Sequence, residues 1–139
     1  MHASVDDQKL VSLPVLGDDR GSLCSIEGEH GTSFPIARVY YIFGTKAGVA
    51  RGFHAHKALR QLAVCVSGSC TMILDDGKSR RSFVLDRPDV GLIIGPMIWR
   101  EMHDFSEDAV LMVLADQHYD EADYIRDYDA FLAMAVAND

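Results

Sequence analysis

The chain has 139 residues, 48% of them hydrophobic and 24% charged, the size and balance of one soluble globular domain spanning residues 1–139. Its formal net charge of −8 argues against nucleic acid or an anionic membrane surface as a partner. Cys24, Cys65 and Cys70 form an odd set without a Cys-x-x-Cys pair and read as inert, reduced thiols of a cytoplasmic protein; no apolar run is long enough to span a membrane, and the polar residues 1–10 are not a signal peptide.

Taken in order, residues 10–16 predict a short edge strand, because Pro14 cannot donate to a ladder. Gly17-Asp18-Asp19-Arg20-Gly21 is a turn, 22–27 a strand and 28–33 a loop. Residues 36–43 are rich in Val, Ile, Tyr and Phe and predict a strand with Tyr40 and Tyr41 on opposite faces. A turn around Gly44 and Gly48 leads to a strand through His54 and His56, and 61–67 forms the next one. Asp75-Asp76-Gly77-Lys78 joins strands 70–74 and 79–85 as a hairpin. Further strands are expected over 90–94, 99–105 and 109–115. Tyr124, Tyr128, Phe131, Leu132 and Ala135 then recur at helical spacing, which predicts a helix over 121–136, continuous or interrupted, capped by Asp120 or Asp123. Many short strands and one C-terminal helix predict an all-β antiparallel sandwich or small barrel, whose mouth is the usual ligand site.

The most informative stretch is Arg51-Gly52-Phe53-His54-Ala55-His56-Lys57. On a strand, residues two apart share a face, so both imidazoles enter one space and form either half of a metal site or an acid–base pair. Arg51 has the opposite parity and reaches that space only if Gly52 sits at a bulge. The spacing of Gly48, His54, His56, Gln61 and Gly68 resembles the first motif of the cupins, double-stranded jelly rolls that in many cases bind a metal through two His, a Glu and a third His. Here the Glu position is Gln61, residues 91–102 contain no His, and Arg100 stands where a third imidazole would be. A cation wants more ligands than this, so the residues favour proton transfer and no metal.

A longer resemblance covers nearly the whole chain. Arg38-Val39-Tyr40-Tyr41-Ile42, the His-x-His stretch, Gly95-Pro96 with Trp99, Glu101-Met102-His103-Asp104-Phe105, and Tyr119-Asp120-Glu121 through Asp123-Tyr124-Ile125-Arg126 are similar to the sugar-nucleotide 3,4-ketoisomerases. The resemblance implies a metal-free cupin jelly-roll barrel without a cofactor. It implies a homodimer with exchanged N-terminal strands, converting dTDP-4-dehydro-6-deoxyglucose to a 3-dehydro isomer on the route to 3-amino-3,6-dideoxy sugars. His54 and His56 are then the catalytic residues, with His56 expected as the carbon acid–base and His54 as the oxygen shuttle. Arg51, Tyr40, Tyr41 and Arg100 are candidates for stabilising enolate charge, Arg20, Arg38, Arg51 and Arg60 for the diphosphate, and Trp99 or Tyr40 for stacking on thymine, with a core role for Trp99 equally open. In the family, the positions matching Arg20 and Arg100 differ with product configuration: Arg with His in the galacto class, Tyr with Arg in the gluco class. Arg at both leaves the configuration at carbon 4 open. The competing functions are a dTDP-sugar 3,5-epimerase, a non-catalytic ligand-binding cupin and a metal-dependent dioxygenase.

Overall fold

The computed structural model describes residues 2–28 and 32–137; residues 29–31 of the expected loop lie outside that range. Among the described residues, twelve strands and one α-helix follow one another: β1 Leu10–Ser12, β2 Val15–Asp18, β3 Gly21–Cys24, β4 Arg38–Ile42, β5 Arg51–His56, β6 Gln61–Ser67, β7 Cys70–Asp75, β8 Arg80–Leu85, β9 Val90–Ile94, β10 Trp99–His103, β11 Val110–Ala115, β12 Tyr124–Ile125 and α1 Tyr128–Ala137. One antiparallel sheet runs β1-β9-β6-β11-β4 and a second runs β12-β5-β10-β7-β8, while β2 and β3 pair only with each other. This is the jelly roll of the cupins, all-β apart from its short C-terminal helix.

The alternation within strands explains the layering. Ala63, Cys65, Leu92, Leu111 and Val113 of the first sheet meet Cys70, Met72, Leu74 and Met102 of the second in one buried core. The outer face of the first sheet is covered by Leu13 and Phe34, packed on Leu62, Val64 and Leu114. The outer face of the second is covered by α1, whose Phe131 and Ala135 pack on Ala55, Trp99 and Ile125. Cys65 and Cys70 are buried, Cys24 is exposed, and all are free thiols. No helix among the described residues is long and apolar enough to cross a membrane.

Two expectations take a definite form. Of the two shapes open for the helix over 121–136, the structure has the interrupted one. Glu121–Asp123 forms a 3-10 turn, capped by the Asp120 side chain on Ala122 N–H, then Tyr124 and Ile125 pair with His56 and Ala55 as a strand. The α-helix starts only at Tyr128, where Asp127 takes the capping place, its carboxylate accepting from Ala130 N–H at 3.3 Å. The edge strand over 10–16 is split at Leu13-Pro14 into β1 and β2, as a residue without an N–H dictates.

Candidate active site

A bulge in β5 builds the site. Against β10, Arg100 lies opposite His54 and Glu101 opposite Gly52, so Phe53 is the extra residue. Gly52 has φ +90°, and a Cβ there would meet the Arg100 carbonyl oxygen at 3.1 Å, so only glycine fits. Phe53 has φ +58°, a left-handed conformation strained for an aromatic residue. The extra residue resets the parity, and Arg51 joins His54 on the wall of a cavity of about 490 Å³, within the range of small-molecule sites.

His54 lines this cavity. His56 lies behind it, only 1% exposed, with ring centroids 5.0 Å apart and the planes nearly perpendicular. Tyr124, also on the cavity wall, packs on both rings, at 5.1 Å from His54 and 4.4 Å from His56. His56 Nδ1–H donates to Asp123 Oδ2 at 3.0 Å, since a carboxylate can only accept. The other Asp123 oxygen accepts from Ala58 N–H at 2.8 Å, and Lys57 N–H bonds its carbonyl at 2.9 Å. The imidazole is therefore held in one tautomer with Nε2 unprotonated, and Nε2 is buried without a hydrogen-bond partner.

Arg100 explains much of the electrostatics. It is 1% exposed; Nη1 donates to Gln61 Oε1 and Nη2 to the Ile98 carbonyl at 3.0 Å, while Nε has no partner. Burial lowers its proton affinity to about 10. Burial first, and the Arg100 charge second, hold His54 down to about 4, against a hydrogen bond to the Gly52 backbone. The same two causes, with His54 third, hold His56 down as well, while the Asp123 carboxylate on Nδ1 pulls the other way. Both rings are neutral at neutral pH and able to accept a proton.

The remaining wall is cationic and aromatic. Arg38 lies over Tyr40 at 5.4 Å and Tyr119 at 5.8 Å. Arg126 lies over Tyr124 at 4.1 Å and grips Glu121 through paired 2.9 Å bonds. Arg38, Arg51 and Arg126 all line the cavity, so an acidic chain carries a local site for an anion. Tyr40 points inward, its hydroxyl accepting from Gln61 Nε2 at 2.9 Å. Tyr41 is 63% exposed at the rim, beside Phe43.

Other expected site residues stand elsewhere. Trp99 is not at the cavity: odd residues of β10 face outward, so it is buried under α1 against Tyr128 and Phe131, with its N–H on Glu101 at 3.1 Å. Arg60 is tied to Asp116 at 3.0 Å on the outside. Arg20 is exposed at the β2–β3 turn, bonded to Asp18 at 2.9 and 3.1 Å, away from the cavity of its own chain. Arg100 is behind the wall and does not border it. Asp123, Tyr119, Tyr124 and Arg126 were not singled out from the residues; His56 and Asp123 are 67 positions apart, and no spacing rule links them.

A cation does not fit here. Gln61, in the cupin glutamate position, spends its carbonyl on the guanidinium of Arg100, the residue at the sequence position where the resemblance would place a third imidazole. Among the described residues no group of three metal-binding side chains occurs.

The sequence matches the family described as "FdtA: WxcM-like, C-terminal" over residues 6–136. It is 54% identical over 125 residues, 90% of each chain, to the TDP-4-oxo-6-deoxy-alpha-D-glucose-3,4-oxoisomerase of Aneurinibacillus thermoaerophilus. The chain belongs to the sugar-nucleotide 3,4-ketoisomerase family. Solved structures of such ketoisomerases superpose closely. The TDP-quinovose 3,4-ketoisomerase of Campylobacter jejuni is 49% identical, with TM-score 0.89 over 93% of this chain and 99% of that one. A histidine-to-asparagine mutant of the Thermoanaerobacterium thermosaccharolyticum 3,4-ketoisomerase, in complex with TDP-4-keto-6-deoxyglucose, is 40% identical, with TM-score 0.93 over 96% and 97% of the two chains.

Proposed function

We propose that this ketoisomerase takes TDP-4-oxo-6-deoxyglucose and moves its ketone from carbon 4 to carbon 3, with His54 as the carbon acid–base and Tyr40 as the oxygen acid–base. The observation that carries this reading is the pairing, on one cationic cavity, of a neutral imidazole with a phenol. The hydrogen on carbon 3 is acidic because it lies beside the ketone. His54 takes it, the electron pair forms a double bond between carbons 3 and 4, and Tyr40 gives its proton to the oxygen on carbon 4. The resulting enediol collapses the other way. Tyr40 recovers a proton from the oxygen on carbon 3, a ketone forms there, and imidazolium returns a proton to carbon 4. Protons and electrons balance within the sugar, so the reaction needs no external oxidant or reductant.

The carbon role goes to His54, and not to His56 as expected from the sequence, because His54 borders the cavity while His56 is covered. His56 and Asp123 are read as positioning groups that hold the His54 ring from behind. Arg38, Arg51 and Arg126 suit the diphosphate. A 3-oxo sugar is a substrate for amination, consistent with a route to 3-amino-3,6-dideoxy sugars.

We also propose a homodimer with exchanged N-terminal strands. The reading is supported by the β2–β3 hairpin, whose residues are all exposed and pair with no other strand. It is supported too by β4, an edge strand with exposed Val39 and Tyr41. Addition of the hairpin to the partner's β4 would carry Arg20 to the partner's cavity, and a sizing column reads the dimer.

The test of function is to incubate the protein with TDP-4-oxo-6-deoxyglucose and follow the ketone by carbon-13 NMR. The expected result is a ketone at carbon 3. A ketone that stays at carbon 4 while hydrogen exchanges at carbons 3 and 5 would replace this reading with 3,5-epimerisation; no exchange would favour a binding role.

A further inference from the structure

Gln61 opens β6 at 1% exposure, beneath the cavity wall. Its side chain joins two groups of the site: Arg100 Nη1 on Oε1, and the Tyr40 hydroxyl 2.9 Å from Nε2. The direction of this chain is forced. A guanidinium has only donors, and Arg100 is fixed by burial and by the Ile98 carbonyl. The amide must therefore turn its oxygen to Arg100 and its NH2 to Tyr40. An NH2 group cannot accept. The phenol oxygen receives the Gln61 proton, and the phenol's own proton has to leave in another direction. Tyr40 lines the cavity, and burial pushes its phenol up, against the Arg100 charge, so it keeps that proton in neutral solution.

We propose that Gln61 is a positioning residue that makes the Tyr40 hydroxyl a donor into the cavity, aimed at the sugar oxygen on which charge develops. The inference rests on the role given to Tyr40 above. A carboxylate at this position would do the opposite. It would pair with Arg100 and accept the Tyr40 proton, turning the phenol away from the substrate. The amide is thus what the reaction requires, quite apart from its poor suitability as a metal ligand.

The test is a kinetic cycle with Gln61→Glu, which preserves shape, and Tyr40→Phe. Each single variant is expected to lower kcat by about 100-fold, with KM within about threefold of the parent. The double variant is expected to fall no further than the worse single, because both changes remove one donor. Full activity of Gln61→Glu beside an impaired Tyr40→Phe would overturn the Gln61 inference alone, as would losses that multiply. Full activity of Tyr40→Phe would overturn the role of Tyr40 and this inference together. Gln61→Met supplies the same cycle should the glutamate variant not fold: it removes the director without adding an acceptor, with an expected loss of about tenfold that vanishes in the Tyr40→Phe background.

Discussion

The two faces of β10 bury opposite charges one residue apart and treat them differently. On the outer face, Glu101 is 8% exposed and receives donors from Trp99, Arg80 and His103 at 3.1, 3.1 and 3.0 Å. Burial raises its proton affinity, but the hydrogen bonds from His103 and Trp99 and the Arg80 charge outweigh that and leave it lowered. Arg80 also reaches Asp75, which accepts from Tyr128 of α1 at 2.6 Å. This charge is satisfied, and it ties β7, β8, β10 and α1 together. On the inner face, Arg100 bonds only neutral carbonyl oxygens and leaves Nε unpaired. A buried cation with no carboxylate bonded to it is costly; the Asp123 charge favours it only from a distance, and its field falls on the two imidazoles of the site. The outer charge belongs to the framework; in the mechanism proposed above, the inner one acts on the chemistry.

Substitutions can break this contrast. His54→Asn should give the largest effect, a loss of about 1,000-fold in kcat with an unchanged melting temperature; substantial activity would remove His54 from the reaction. Arg100→Met should cost about 100-fold in kcat while leaving the fold as stable or more so, since a well-packed apolar residue replaces an unpaired charge. Its pH profile is the sharper readout. Arg100 depresses His54, so its removal should move the acid limb of kcat/KM upward from about 4 towards the ordinary imidazole value. An unmoved limb would contradict the electrostatic role.

Glu101→Gln should show the reverse pattern: about 2 kcal/mol less stability in denaturant melts and kcat within about twofold of the parent. A large fall in kcat at unchanged stability would move Glu101 from framework to site. The smallest effect is on pH dependence. His54 binds its proton less tightly folded than unfolded, so its contribution to stability is present above pH 6.5 and is lost as pH falls towards about 4. Between about pH 7 and about pH 5.5 this amounts to about 1 kcal/mol, which should be absent in His54→Asn.

What could be read from the sequence was what local pattern determines. β6 and β9 occupy 61–67 and 90–94, as their runs of apolar residues predicted, and Gly52 at a bulge was the one condition that let Arg51 join His54. Tertiary partners were harder. Tyr124 and Tyr128 are helically spaced, yet Tyr124 is drawn into a strand by pairing with His56. Asp123 looked like a helix cap because its partner imidazole comes from β5. Trp99 could be a base-stacking ring or a core residue, and the outward facing of odd β10 residues decides for the core, as a floor for α1. Gln61 could be dismissed as a metal ligand from its identity, but its task depends on which way Arg100 turns its amide.

The most direct test of the central claim is solvent exchange at the sugar carbons. In deuterated water the parent enzyme should place deuterium at carbons 3 and 4 of the oxo-sugar pool as the ketone migrates. His54→Asn, folded and still binding TDP, should leave both carbons unlabelled. Labelling by that variant at the parent rate would show that another group moves the carbon-bound proton.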